Sequence, residues 1–220
     1  MEYPKYYENF QNLVEPIDKI AEEIVSSGDK MNRRENFFPE LINRLQLRNG
    51  VEIGVDKGDF SYQILSKSNI EKLYGIDCWM DDFGSNHRPG FFDTIGENRM
   101  QDAINKLKEF GNRSFLIKGT SLECLNTFED SSLDFCYIDG DHSLEGVYND
   151  IYSYVNKVRI GGIICGDDYK DGPNSGMKDY FGNQLPFRVL TVVSDFCQKY
   201  GFKLNIIGPR VPNWWFIKNR

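Results

Sequence analysis

Apolar residues along the chain follow two rhythms. Near the start, Leu13, Ile17, Ile20, Ala21, Ile24 and Val25 recur at the spacing of one helix face, and Ser26-Ser27-Gly28 stops the pattern. Phe37, Phe38, Leu41, Ile42 and Leu45 predict a second helix, so the first 45 or so residues read as helical. Short continuous apolar runs then take over, at 51–54, 72–77, 114–118, 133–139 and 160–166. Runs of that length predict strands buried on both faces. Helical stretches lie between them: 60–66, then 92–110 with Ile95, Ala103, Ile104 and Leu107 as its apolar face, then 144–158 with Val147, Ile151, Val155 and Val158. Such alternation predicts a parallel sheet built from βαβ units.

The ending differs. A helix over 187–200 (Val189, Val192, Val193, Phe196) leads to a strand at 202–207, a turn at Gly208-Pro209-Arg210-Val211-Pro212 and a strand at 213–218, with Trp215 and Ile217 on one face. Two strands joined by a short turn pair antiparallel, because a parallel pair needs a long crossover. The expectation is one α/β domain: a helical cap over 1–47, and over 48–220 a seven-stranded, mostly parallel sheet ending in an antiparallel hairpin. The chain's 220 residues suit one domain.

Charge removes some function classes. The net charge is -7 and no long Lys/Arg run exists, so the chain is not built to wrap nucleic acid. The five cysteines form no CxxC pair and show no zinc-like spacing with the two histidines. Cys78, Cys136 and Cys165 sit in or beside the apolar runs, as suits a reducing compartment. The first ten residues hold no apolar signal core, and no stretch approaches the roughly 20 apolar residues that span a bilayer. The expected location is the cytoplasm, away from the membrane.

Candidate chemistry begins at Val51-Glu52-Ile53-Gly54-Val55-Asp56-Lys57-Gly58-Asp59-Phe60-Ser61, a strand, a glycine loop and a helix start. Gly54 and Gly58 permit positive φ and close backbone approach. Asp59 or Ser61 is expected to cap the following helix. Asp77 lies nineteen residues beyond Gly58, near the distance at which an acid accepts ribose hydroxyls in nucleotide-binding folds. A dinucleotide is disfavoured, because Asp56 stands where a pyrophosphate loop has its second glycine. Glu52 suits a ligand carrying an ammonium group.

An acidic residue, any residue, Gly and a second Gly about four further on resembles the first motif of the class I methyltransferases. The resemblance covers roughly 49–220 and implies a Rossmann-like core with S-adenosylmethionine as cofactor. It implies that Glu52 faces the methionine amine, Asp77 the ribose and Ser61 the methionine carboxylate. Gly119-Thr120-Ser121 follows the third strand, where family members contact adenine. Trp79 is expected over a flat ring, on the acceptor pocket or simply in the core.

The second cluster closes two neighbouring strands. One ends in Asp139-Gly140-Asp141-His142, the next in Gly166-Asp167-Asp168-Tyr169. Sites in open α/β sheets lie beyond the C-terminal ends of strands. Asp139, Asp167 and Asp168 should therefore converge, and three such carboxylates need protonation, a Lys or Arg partner, or a bound metal. An all-oxygen set favours Mg²⁺, Mn²⁺ or Ca²⁺. Asp141 is expected to cap the helix at Leu144.

This segment resembles the catechol-type O-methyltransferases, and more closely the small bacterial sugar and macrolide-sugar O-methyltransferases and cephalosporin-hydroxylase-like proteins. The resemblance implies Mg²⁺ held by Asp139, Asp167 and Asp168. The catechol-type enzymes carry a catalytic lysine three residues beyond the first aspartate, where this chain has His142. The expectation is hydroxyl methylation with a divalent ion holding the acceptor oxygen and a neutral His142 taking its proton. A metal favours vicinal oxygens, so a small molecule such as a sugar or other vicinal diol is the expected acceptor. Loops at 78–92 and 170–182 are expected to shape its pocket. The N-terminal helices are expected to close the other side or to make a homo-oligomeric contact. Rival readings are a nicotinamide-dependent oxidoreductase, a non-catalytic cofactor-binding module and a metal-dependent hydrolase.

Overall fold

The structure, a computed structural model, describes residues 11–80, 94–179, 182–208 and 212–220. His87, most of the 78–92 loop, Met1 to Phe10 and the turn residues Pro209, Arg210 and Val211 lie outside the described residues.

Helices α1 (Gln11–Ser26) and α2 (Arg34–Leu45) precede the sheet, joined through a 3₁₀ turn at Asp29–Asn32. The expected alternation follows: β1 (Asn49–Ile53), α3 (Asp59–Lys67), β2 (Lys72–Asp77), α4 (Thr94–Leu107), β3 (Ser114–Lys118), β4 (Leu133–Ile138), α5 (Leu144–Tyr154) and β5 (Val158–Gly166). A two-residue ladder of β6 (Asp171–Gly172) and β7 (Phe187–Arg188) comes next, then α6 (Val189–Tyr200), β8 (Asn205–Ile207) and β9 (Asn213–Ile217). The main sheet has seven strands in the order β3-β2-β1-β4-β5-β9-β8. β3, β2, β1, β4 and β5 are parallel, β9 runs antiparallel to β5, and β8 pairs antiparallel with β9.

Alternating side chains of the central strands feed two cores. On one face, Cys136, Ile138, Ile164, Trp214 and Phe216 pack with Val147 and Ile151 of α5 and Val193 and Phe196 of α6. On the other, Phe135, Tyr137, Ile163, Cys165 and Trp215 pack with Phe60 and Ile64 of α3, and with Ile24, Phe37, Phe38 and Leu41 of α1 and α2. The N-terminal helices are thus a layer on the sheet, and burying four such side chains contributes roughly 1.5–3 kcal/mol each.

The differences from the expected boundaries have local causes. α5 stops at Tyr154 and Val158 opens β5 opposite Leu133, so Val158 serves the sheet although its spacing continues the helix face. Residues 108–113 leave the α-helix for a 3₁₀ segment containing Gly111 at φ 55°. Phe187 and Arg188, expected as helix, pair with Asp171 and Gly172. Phe202 is not in a strand; its ring stacks on Phe216 at 4.9 Å.

The parallel order reverses at β1, which has β2 on one side and β4 on the other. Ligands in open α/β sheets bind at such a switch point.

Candidate active site

A cavity of about 750 Å³ opens beyond β1, β2 and β4, within the range of small-molecule sites. Gly54, Asp77, Trp79, Thr120, Asp139 and Arg34 are on its wall. Gly54 has φ 86°, and a Cβ there would fall on the Asp139 carbonyl, so only glycine lets the ends of β1 and β4 meet. Gly58, at φ 76°, is the residue before α3, and no side chain caps that helix. The expected caps do other work: Asp59 pairs with Lys106, and the Ser61 hydroxyl donates to Glu52 Oε2.

Glu52 is fully buried. Desolvation drives its carboxyl up to about 8, with Asp139 and Asp77 adding to the rise while Ser61 and Arg34 oppose it. Asp77 holds the loop: Oδ2 accepts from Val55 N at 2.9 Å and Asp56 N at 2.8 Å, and Oδ1 accepts from Trp79 N at 2.7 Å. Trp79 packs with Val55 and Ala103, and its indole N–H donates to the Asp56 carbonyl at 2.8 Å. Also on the wall, Thr120 closes onto Glu123, its N–H and hydroxyl donating at 2.9 and 2.8 Å. The Ser121 hydroxyl donates to Asp150 Oδ1. Burial raises the Asp150 carboxyl to about 7.

The three aspartates do converge, and charged side chains already lie among them. Arg34 Nη1 donates to Asp139 Oδ2 at 2.9 Å, to Asp167 Oδ2, and to the Tyr137 hydroxyl at 3.0 Å. Lys170 Nζ is 2.8 Å from Asp168 Oδ1. Burial and then Asp139 push the Asp167 carboxyl up to about 6 even with Arg34 beside it. The donor chemistry, all oxygen, is that expected for a hard divalent ion. The arrangement is not: a guanidinium nitrogen lies between Asp139 and Asp167, and among the described residues no group of three or more His, Cys, Asp or Glu side chains could hold a metal ion. In this form the residues do not fit a metal.

His142 differs from expectation in place. It is not on the cavity wall; its ring stacks on Phe187 at 4.7 Å, and Nε2 is buried 3.3 Å from Asp139 Oδ1 and 3.8 Å from Asp168 Oδ2. Burial lowers its pKa, but Asp139, Asp168 and Asp167 together outweigh that and raise it above the usual value. The ring reaches the cavity only through Asp139. The cap of α5 is Ser143, whose hydroxyl accepts from Gly146 N at 3.2 Å. Asp141, expected in that role, accepts from the Ser143 N–H at 2.7 Å and so acts one step behind.

Arg34 and Asp150 carry no motif signal. Arg34 looks like a helix-start charge beside Arg33, and Asp150 like the polar face of an amphipathic helix; only the fold brings each to the cavity.

A strand, a glycine loop and an acid-tipped second strand at the switch point of this sheet define a methyltransferase of class I architecture. A family model described as a methyltransferase domain matches residues 51–169, more than half of the chain, and the chain belongs to that family. Among solved structures it is similar to cofactor-bound Rv0187 from MTB, with TM-score 0.63, 14% identity, and 93% of this chain and 90% of that one covered. It is similar to an O-methyltransferase from Bacillus cereus in complex with SAH, with TM-score 0.59, 14% identity and coverage of 95% and 100%. TomG, an O-methyltransferase from Streptomyces achromogenes involved in tomaymycin synthesis, was solved with SAM and matches with TM-score 0.58, 14% identity and coverage of 97% and 91%. At these identities the likeness is one of fold. Protein y4gI of Sinorhizobium fredii (strain NBRC 101917 / NGR234) is 26% identical over 141 residues, 62% of this chain but 15% of that protein's length. No helix among the described residues is long and apolar enough to cross a membrane.

Proposed function

We propose that the chain transfers the methyl group of S-adenosylmethionine to a hydroxyl of a small-molecule acceptor. One observation carries the reading: a single cavity is lined both by Glu52 and the Gly54 loop and by Asp139 with Arg34. Glu52, buried beside the loop, suits the methionine ammonium. Asp77 pins the loop and keeps further lone pairs for the ribose. Thr120 and Ser121 line the part of the wall assigned to adenine, and Trp79 walls the nucleoside side. Ser61 serves Glu52 in this reading, because its hydroxyl is already donated there.

The chemistry is an in-line displacement, which needs acceptor oxygen and methyl carbon close and aligned. An oxygen lone pair forms the O–CH₃ bond as the C–S bond breaks, and its electron pair stays on sulfur as S-adenosylhomocysteine. The hydroxyl proton passes to the Asp139 carboxylate and on to His142, whose Nε2 lies 3.3 Å behind it. The surrounding aspartates stabilise the charged form of His142, which suits it to hold that proton. A divalent ion is given no step, since the residues as arranged do not fit one. Without an ion to bind two neighbouring oxygens, the acceptor need present only one hydroxyl.

Calorimetry with S-adenosylhomocysteine and with NAD, beside transfer of labelled methyl from S-adenosylmethionine to a panel of hydroxylated small molecules, tests the proposal. The homocysteine product binds, NAD does not, and label appears on oxygen. Asp139→Asn lowers turnover by about 100-fold or more while leaving cofactor affinity largely intact. Binding of NAD alone, or label found on nitrogen, refutes it.

A further inference from the structure

We infer that Arg34 is the cation of the acceptor site, occupying the place between Asp139 and Asp167 that a divalent ion would otherwise fill, so that the transfer proceeds without one. The inference rests on the methyltransferase reading and deepens it.

Four observations carry it. First, a single guanidinium nitrogen bonds Asp139, Asp167 and the Tyr137 hydroxyl together, so the point where the two carboxylates meet is filled. Mg²⁺ needs near-octahedral oxygen ligands at about 2.0–2.1 Å, and a guanidinium on the same oxygens denies it that shell. Second, the group is held in place. Its carbon lies 5.0 Å from the Phe60 ring centre and 5.9 Å from that of Tyr137, and the Tyr137 hydroxyl donates to Asn213 Oδ1 at 2.7 Å. A flat, delocalised cation placed over aromatic rings is held there better by arginine than by lysine.

Third, Arg34 opens α2, whose Phe37, Phe38, Leu41 and Ile42 are buried against the sheet. The side chain projects from a packed element and does not swing in from a tail. Fourth, the local charge is met. Arg34 on Asp139 and Asp167, Lys170 on Asp168, and His142 beside Asp139 and Asp168 set up to three positive charges against three negative ones. A doubly charged ion added there would meet guanidinium at contact distance, and a sulfonium cofactor brings one more positive charge to the same cavity. Arg34 lines that cavity, which places its donors where an acceptor oxygen can use them.

The test uses the full chain, stripped with EDTA, and three readouts: Mn²⁺ titration followed by electron paramagnetic resonance, calorimetry with S-adenosylhomocysteine, and methyl transfer. The wild type is expected to keep its turnover in EDTA and to bind Mn²⁺ weakly. Arg34→Gln should keep product affinity, lose turnover by about 100-fold, and bind Mn²⁺ roughly tenfold or more tightly because the carboxylates are released. Arg34→Lys should recover part of the turnover without Mn²⁺. The inference is overturned if the wild type binds Mn²⁺ as tightly as Arg34→Gln, or if EDTA abolishes turnover and Mn²⁺ restores it. Should Arg34→Gln not fold, the wild-type titration and EDTA assay decide alone. Loss of product binding in the wild type would instead count against the methyltransferase reading, and the Mn²⁺ titration would still report on Arg34.

Discussion

Glu52 and Asp150 are acids that the fold takes out of water on the wall of one cavity, and each yields a measurable consequence. With its carboxyl up at about 8, Glu52 is mostly protonated at pH 7 in the free protein. An ammonium group beside it favours the carboxylate and lowers that value, so cofactor binding at pH 7 should release a proton. Calorimetry with S-adenosylhomocysteine in buffers of different ionisation enthalpy should then give different apparent heats, and Glu52→Gln should remove the difference while weakening binding. For Asp150 the folded value of about 7 lies above the ordinary 3.8, so the unfolded chain ionises first as pH rises. The folded state is unpenalised below the lower value, loses about 1.4 kcal/mol per pH unit between the two, and loses no more above the upper one. Asp150→Asn should therefore be more stable than the parent in denaturant titrations without cofactor, by a margin that widens from pH 5 to pH 7 and then levels off. Glu52 was readable in the sequence because it stands at a fixed offset from two glycines. Asp150 was not, because nothing in a helical heptad says which polar residue will face a cavity.

At the level of elements, the loop after β1 is where backbone conformation and site geometry coincide. Gly54 and Gly176 both have φ 86°, but a Cβ on Gly54 would strike the Asp139 backbone whereas Gly176 has nothing within 4 Å. Alanine at Gly176 should cost about 1–2 kcal/mol from backbone strain alone. Alanine at Gly54 should cost clearly more and weaken S-adenosylhomocysteine binding, as thermal melts and calorimetry of the pair would show. The central strands were legible because short apolar runs buried on both faces have little competing interpretation. The end of α5 was not, because Val155 and Val158 continue a helical spacing that sheet pairing at Val158 overrides. The β6–β7 ladder is two residues long and has no periodicity to read.

For the molecule as a whole, ligand linkage gives the broadest prediction. A ligand that binds only the folded state stabilises it by about 2.7 kcal/mol at a hundred times its Kd. S-adenosylhomocysteine should raise the melting temperature accordingly, and NAD should leave it unchanged. The local order of strand, loop and helix, the seven-strand count and the convergence of Asp139, Asp167 and Asp168 could all be read from sequence, because each depends on residues close along the chain or on strands whose adjacency follows from their succession. The partner of those aspartates could not. Arg34 is 105 residues from Asp139 and 133 from Asp167, and the choice among protonation, a basic side chain and a metal is made by which element packs over the strand ends. The same holds for His142, whose chain position beside Asp139 was plain while its placement behind that carboxylate depends on Phe187, supplied by β7. Periodicity and spacing act within a segment, whereas the neutralisation of a buried charge depends on what the rest of the chain brings within hydrogen-bonding distance, and that only the tertiary structure decided.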